Sequence, residues 1–127
     1  MRFGGLLTAT LLVAVGCDRG AGPSAPARTG TVTVVVRGEA DRTLELPDVA
    51  EGATVEDVMR RAADEGLPVE ISGRGMTALV TSIDGREMGG GEGWIYRIDG
   101  EFPSRGIGAM ELQPPTTVEW SYGEWQR

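Results

Sequence analysis

The chain has 127 residues, a formal net charge of -7 and one cysteine, and its twelve basic residues are all arginine. Without histidine or lysine it cannot use Ser-His-Asp or Cys-His catalysis, Schiff-base lysines or histidine-based metal sites. Carboxylate chemistry and oxygen-ligand metals stay open, and an internal disulfide is excluded. The acidic balance disfavours nucleic acid as a partner, because nucleic-acid binding requires basic patches.

Residues 1–16 resemble a bacterial lipoprotein signal peptide. Arg2 precedes an uncharged, largely apolar stretch that ends at Gly16, and Cys17 follows directly. An uncleaved membrane anchor is the alternative, although the stretch of about 14 residues is shorter than the roughly 20 that span a bilayer. We therefore expect export across the cytoplasmic membrane, lipidation of Cys17 and anchoring to the cell envelope, on the periplasmic or the outer side.

Residues 17–30 are rich in glycine, proline, alanine and serine, which predicts a flexible tether. The composition changes at Thr31, and residues 31–127 are expected to form one domain. Thr31 to Arg37 is β-branched in nearly every position and predicts a strand. Arg42 to Leu46 alternates polar and apolar residues, so it should pair back as the second strand of a hairpin.

Residues 55–66 predict an amphipathic helix. Thr54 is the expected N-cap, and Asp57 stands where the acid of a capping box belongs. Apolar side chains recur at helical spacing, which predicts one buried stripe: Val55, Val58, Met59, Ala62 and Ala63. Packing of this stripe should stabilise the helix more than the cap does.

The second half of the chain predicts strands and turns. A short strand at Val69–Ile71 is followed by longer strands at 76–83, 94–98 and 118–122. Residues 86–93 contain four glycines and predict a flexible loop, and Asp99–Gly100 predicts a type I′ turn. A hairpin, one helix and further strands predict an α+β fold: a β-grasp-like arrangement with the helix across a mixed, mostly antiparallel sheet and additional hairpin strands.

Several short motifs occur in a characteristic order. They are the valine-rich first strand, Gly52-Ala53-Thr54-Val55, Ser82-Ile83-Asp84-Gly85, Trp94-Ile95-Tyr96, Asp99-Gly100, Gly106-Ile107 and the aromatic last strand. This pattern resembles the transcobalamin-like C-terminal domain family over essentially all of residues 31–127. The resemblance implies a β-grasp fold of the soluble-ligand-binding kind. In the vertebrate cobalamin carriers a similar domain covers one side of the corrinoid, beside a helical domain.

The resemblance also implies candidate ligand contacts in residues 102–107, namely Phe102, Pro103, Ser104 and Ile107. The aromatic side chains of the second half suggest a binding platform: Trp94, Tyr96, Trp120, Tyr122 and Trp125. Trp94 and Trp120 could equally fill the core. We count Trp94 and Tyr96 among the candidate contacts, together with Met88, whose adaptable side chain lies in the glycine-rich loop.

Other chemistries have weaker support. The glycine-rich loop lacks the lysine of a phosphate-binding loop and precedes a strand rather than a helix. Five nearby carboxylates could form a calcium site or a glycosidase pair, or simply a solvated acidic face: Asp84, Glu87, Glu92, Asp99 and Glu101. We expect a solvated face, no catalytic residues and no metal ligands.

The sequence therefore favours a non-enzymatic, lipid-anchored module that binds a soluble ligand or a surface partner. No cofactor is expected, and cobalamin enters solely through the family resemblance. A structural or protein-interaction role in the cell envelope is the alternative.

Overall fold

The computed structural model describes residues 28–124. The predicted signal peptide, Cys17, most of the predicted tether and Trp125 lie outside this range. Within it the chain forms seven strands and one α-helix: β1 Thr29–Arg37, β2 Arg42–Ala50, α1 Val55–Asp64, β3 Val69–Ser72, β4 Leu79–Ile83, β5 Arg86–Glu87, β6 Glu92–Ile98 and β7 Thr116–Glu124. None of the helical structure in this range has the length and apolarity that a bilayer span requires.

Four strands form the main sheet, in the order β2-β1-β7-β6. β1 and β2 are an antiparallel hairpin, β1 pairs parallel with β7, and β7 pairs antiparallel with β6. Val32, Val34 and Val36 of β1 are fully buried on one face of this sheet. The fold is α+β with a mixed, mostly antiparallel sheet, as the sequence predicted. β1 begins at Thr29 rather than at Thr31, and so includes the last two residues assigned to the tether.

The helix packs across the sheet with its apolar stripe. Val55, Val58, Met59 and Ala62 are buried, and the indole Nε1 of Trp120 in β7 donates to Met59 Sδ at 3.2 Å. Ala63, the fifth residue of the predicted stripe, is half-buried at its edge. This contact between helix and sheet confirms the arrangement that the hydrophobic spacing predicted.

The predicted capping box of the helix is also present. The Asp57 backbone N–H donates to Thr54 Oγ1 at 3.1 Å, and the Thr54 N–H donates to Asp57 Oδ2 at 3.0 Å. Two backbone donors at the helix start are thereby satisfied within the helix's own first turn.

A second, three-stranded sheet has the order β3-β4-β5. The strand predicted at 76–83 begins at Leu79, because the residues before it form a short 3₁₀ turn at Gly75–Thr77. In that turn the Arg74 N–H donates to Thr77 Oγ1 at 3.2 Å, and the Thr77 N–H donates to the Arg74 carbonyl at 3.1 Å. These local hydrogen bonds compete with strand pairing. The apolar pattern of the sequence does not reveal this competition.

The glycine-rich segment 86–93 is not a loop throughout, contrary to the prediction. Arg86–Glu87 forms β5 against β4, and Gly93 already lies in β6. The cause is the turn at Asp84–Gly85, whose φ values of 54° and 81° turn β4 directly back into β5. The Asp99–Gly100 turn has similar φ values, 49° and 87°, which agree with the predicted type I′ turn.

Candidate functional site

A cleft of about 340 Å³ lies where the edge of the main sheet faces β4 of the second sheet. One wall is the middle of β6, a second is the start of β4, and the segment 102–107 forms the third. All of its lining residues are uncharged: Ala78, Leu79, Val80, Trp94, Ile95, Tyr96, Phe102, Pro103, Gly106, Ile107 and Trp120. An apolar cleft of this size has the character of a small-molecule site.

Aromatic packing fixes the β6 wall. The rings of Tyr96 and Trp120 lie 5.1 Å apart, centre to centre, and those of Trp94 and Tyr122 lie 5.3 Å apart, edge to face. Trp94 Nε1 donates to the Arg86 carbonyl at 2.8 Å. Because each indole N–H already has a partner within the protein, the two buried tryptophans offer apolar ring surface to the cleft.

Tyr96 connects the β6 wall with the segment 102–107. Its hydroxyl donates to the Arg105 carbonyl at 2.6 Å, and the side chain is buried. Burial disfavours the charged phenolate and raises the pKa of Tyr96 from 10.0 to about 12. The phenol is therefore protonated at neutral pH and remains a hydrogen-bond donor that holds the wall in place.

The mouth of the cleft carries exposed apolar side chains. Phe102 is 57% exposed and Leu79 is 39% exposed, and both line the cleft. The Arg97 guanidinium lies 4.4 Å from the centre of the Phe102 ring, which keeps a positive charge beside the opening. Large exposed apolar groups at the rim of a cavity mark a surface that can contact a ligand or partner.

Five of the seven side chains proposed from the sequence line this cleft. Trp94, Tyr96 and Ile107 are buried in its walls, Pro103 is half-buried and Phe102 stands at the mouth. The structure places the other two elsewhere. The Ser104 side chain is exposed and does not line the cleft, and the backbone of Met88 is tied to β4 through its N–H bond to the Thr81 carbonyl at 2.8 Å.

Sequence reasoning missed the wall formed by Ala78, Leu79 and Val80. The sequence predicts a strand for these residues and no functional role. The cleft lies between them and β6, which is about 15 residues away along the chain. One signal was available, because Leu79 is a large apolar residue that follows a turn at the start of a strand. For Trp120 the sequence suggests either a binding platform or the core. The structure shows both roles, because the side chain is buried against Met59 and also lines the cleft.

The five carboxylates that lie close together in the sequence are exposed: Asp84, Glu87, Glu92, Asp99 and Glu101. Asp84 pairs with Arg42 at 3.0 Å, and Asp99 accepts from Thr116 Oγ1 at 2.7 Å and from the Thr117 N–H at 2.9 Å. Within residues 28–124 no group of three acidic, cysteine or histidine side chains is arranged to hold a metal ion. Asp84 and Asp99 thus have identifiable structural roles, one in a surface ion pair and one beside a turn.

Residues 52–124, more than half of the chain, match the family described as "Domain of unknown function (DUF4430)". The chain belongs to this family. The match includes the helix, the second sheet, β6 and β7, and with them every residue that lines the cleft. No curated protein matches the sequence.

Solved structures that are similar to this fold include the following two. Haptocorrin, in a crystal structure of its complex with Cbi, superposes with a TM-score of 0.70 at 17% identity over 82% of this chain. This DUF4430 chain spans 27% of the haptocorrin chain. A "putative metal binding protein" from Ruminococcus gnavus ATCC 29149 has a TM-score of 0.57 at 15% identity, covering 78% of this chain and 99% of that one. At these identities the similarity shows a transcobalamin-like fold.

Proposed function

We propose that this protein is a non-enzymatic, lipid-anchored module that binds a soluble small molecule outside the cytoplasm. The observation that carries the proposal is the uncharged cleft between β6, β4 and residues 102–107. Its volume of about 340 Å³ lies at the lower end of the range for ligand pockets. Its walls are held by the tilted aromatic pair of Tyr96 and Trp120 and by the hydrogen bond from Tyr96, so the site is formed before a ligand arrives.

Corrinoids are the first ligand class to test. The fold is similar to that of haptocorrin, whose structure contains Cbi, and the cleft lies within the family match. Because this chain corresponds to about a quarter of haptocorrin, we expect it to cover part of a corrinoid rather than enclose it. Weak, fast-exchanging binding is therefore the expected result for a corrinoid with this chain alone.

The absence of enzymatic activity is argued from the residue types present. The chain has no histidine and no lysine, and the cleft is lined by apolar side chains. General acid-base catalysis there would have to use Tyr96, whose raised pKa opposes loss of its proton at neutral pH. Binding without chemistry is the function that these groups support.

Binding can be measured by tryptophan fluorescence and thermal shift with cobinamide, cobalamin and soluble envelope glycans. Leu79→Arg should place a charged side chain at the cleft mouth and weaken binding at least about tenfold, because an unpaired charge beside apolar walls is unfavourable. Thr43→Arg adds the same charge on an exposed position of β2 and should leave binding unchanged. Equal affinity of the two variants, or no response to any ligand class, would contradict the proposal.

Lipid anchoring is tested independently of ligand binding. The native protein should partition with membranes, and mass spectrometry should find an acylated cysteine at the N-terminus of the mature chain. Cys17→Ser should abolish both properties. An intact leader on a membrane-bound Cys17→Ser variant would instead establish the uncleaved anchor.

A second candidate function is a protein-interaction module of the cell envelope. It is favoured by the exposed apolar side chains Phe102, Leu79 and Met76, the last being 90% exposed. Cross-linking in the native envelope, comparing wild type with Phe102→Ser, separates the two functions. A stable protein neighbour that disappears in Phe102→Ser favours the interaction module.

A further inference from the structure

Alternate residues of β6 direct their backbone N–H and C=O groups to opposite sides of the strand, and this alternation determines which groups face the cleft. Just beyond the strand's end, the Asp99 N–H donates to the Thr117 carbonyl at 2.9 Å, in the register that pairs β6 with β7. Because backbone groups alternate sides along an antiparallel strand, the odd-numbered residues of β6 bond to β7. The backbone N–H and C=O groups of the even-numbered residues therefore face outward, at the edge of the sheet.

The protein itself pairs this outer edge at both of its ends. Ile98 and Glu101 exchange two backbone hydrogen bonds of 2.9 Å across the Asp99–Gly100 turn. At the other end Glu92 and Gly89 exchange bonds of 2.9 and 3.1 Å. Both pairs involve even-numbered residues of β6, which agrees with the phase derived from Asp99.

Between these two ends, Trp94 and Tyr96 have outward-facing backbone groups that bond to no backbone or side-chain atom of residues 28–124. Each of the two residues offers one N–H donor and one C=O acceptor. The two sets lie two residues apart, or roughly 7 Å along the strand. Both residues line the cleft, and as whole residues, backbone included, they are 3% and 8% exposed. Backbone groups at such a place need a partner, either water or a ligand.

We propose that the cleft takes a short, uncharged, extended peptide that adds to the edge of β6 as one more strand. This inference rests on the proposed function and names the ligand class. Two N–H and C=O pairs at strand spacing match the donor and acceptor pattern of a peptide backbone over about three residues. The uncharged lining suits the part of a peptide that lies between its charged termini, and it does not suit an ionic ligand.

The ends of the edge limit the length of this peptide. Glu92 and Ile98 are six residues apart in β6, or roughly 20 Å. Gly89 already pairs with Glu92 and Glu101 already pairs with Ile98, so both ends of this edge are occupied. Three to four peptide residues fit between them. Apolar side chains of such a peptide would contact Leu79 and Phe102 at the mouth, which gives the exposed Phe102 ring a partner.

The test uses the full chain labelled with ¹⁵N and the blocked tripeptide acetyl-Val-Ala-Val-amide. Titration should shift the amide resonances of Trp94 and Tyr96 more than those of β1 and β2. Two singly N-methylated peptides, one at Ala and one at the last Val, serve as matched controls of equal size and hydrophobicity. Adjacent peptide N–H groups face opposite sides of a strand, so one of the two should bind about tenfold more weakly, or worse, and the other nearly as well as the parent.

The outcomes separate this inference from the proposed function. Equal affinity of the two N-methyl isomers would overturn strand addition. If cobinamide shifts the Trp94 and Tyr96 amides and the tripeptide does not, the peptide inference fails while the proposed function stands. If neither ligand shifts them, both fail. Shifts of these amides on concentrating the protein alone would assign the edge to a second copy of the chain and overturn the peptide.

Discussion

The hydroxyl of Tyr96 donates a hydrogen bond of 2.6 Å to the backbone carbonyl of Arg105. It joins the edge strand of the main sheet to the segment that forms the third wall of the cleft. The same side chain packs at a tilt against Trp120, which in turn contacts Met59 of the helix. The shape of the cleft is therefore connected to the packing of the helix through two side chains.

The first prediction concerns the pH dependence of stability. The folded state raises the pKa of Tyr96 to about 12, so above pH 10 the unfolded chain loses this proton while the folded protein keeps it. This contribution to the free energy of unfolding is fully present below pH 10 and is lost as the pH rises from 10 to 12. Urea unfolding followed by circular dichroism from pH 8 to 11.5 measures it. The chain has no lysine to titrate in this window.

Tyr96→Phe should flatten this decline in stability, whereas the matched variant Tyr122→Phe retains Tyr96 and should keep it. A decline of equal size in the Tyr96→Phe variant would show that another group is responsible.

The second prediction concerns the helix–sheet contact. Met59 is fully buried, and Met59→Ala should lower the free energy of unfolding by about 2–5 kcal/mol through lost burial and a residual cavity. Met76→Ala makes the same change at a residue that is 90% exposed, and should stay within about 0.5 kcal/mol of wild type. Chemical denaturation compares the two variants. Similar losses in both would mean that the helix does not depend on this packing.

The third prediction concerns the close approach of two backbone segments at Gly75 and Gly108. A Cβ added at Gly108 would overlap the carbonyl oxygen of Gly75, which is an impossible contact. Gly108→Ala should force the segments apart and destabilise the protein by at least about 1–3 kcal/mol, measured as a lower midpoint of thermal unfolding. Gly106→Ala is the control, because a Cβ there meets nothing within 4 Å. An unchanged midpoint for Gly108→Ala would contradict this packing.

The fourth prediction concerns the helix cap. Thr54→Ala removes the acceptor for the Asp57 N–H and should cost about 1 kcal/mol, while Thr54→Ser keeps the hydroxyl and most of the stability. The free energies of unfolding of the two variants, from urea titration, should therefore differ. If alanine and serine are equivalent at position 54, the capping box does not contribute.

Elements with a strong local signal could be predicted from the sequence. The capping box, the helical spacing from Val55 to Ala62 and the Asp99–Gly100 turn are each encoded within a few neighbouring residues. The start of β4 was predicted too early, because the Arg74–Thr77 turn depends on particular side-chain hydrogen bonds rather than on an apolar pattern. β5 was missed because it consists of two exposed residues, which show no alternation of polar and apolar side chains.

The candidate site could be predicted in part. Trp94, Tyr96, Phe102, Pro103 and Ile107 were proposed from the sequence, and they line the cleft. The wall at 78–80 was missed, because Leu79 marks an apolar position but its place opposite β6 results from the packing of two separate sheets. Ser104 and Met88 show the converse case, since proximity along the chain did not bring their side chains into the cleft.

By itself the sequence determined which chemistry is available, which segments form strands and a helix, and which faces are apolar. These properties depend on residue types and on neighbours a few positions away. The tertiary structure alone decided that β7 returns beside β1 and that β6 is left at an edge. It also decided that Trp94 and Tyr96 present to an apolar cleft backbone groups that have no partner among residues 28–124. Every residue other than proline has the same backbone N–H and C=O groups, so whether they are paired in a strand depends on which distant strand lies beside them.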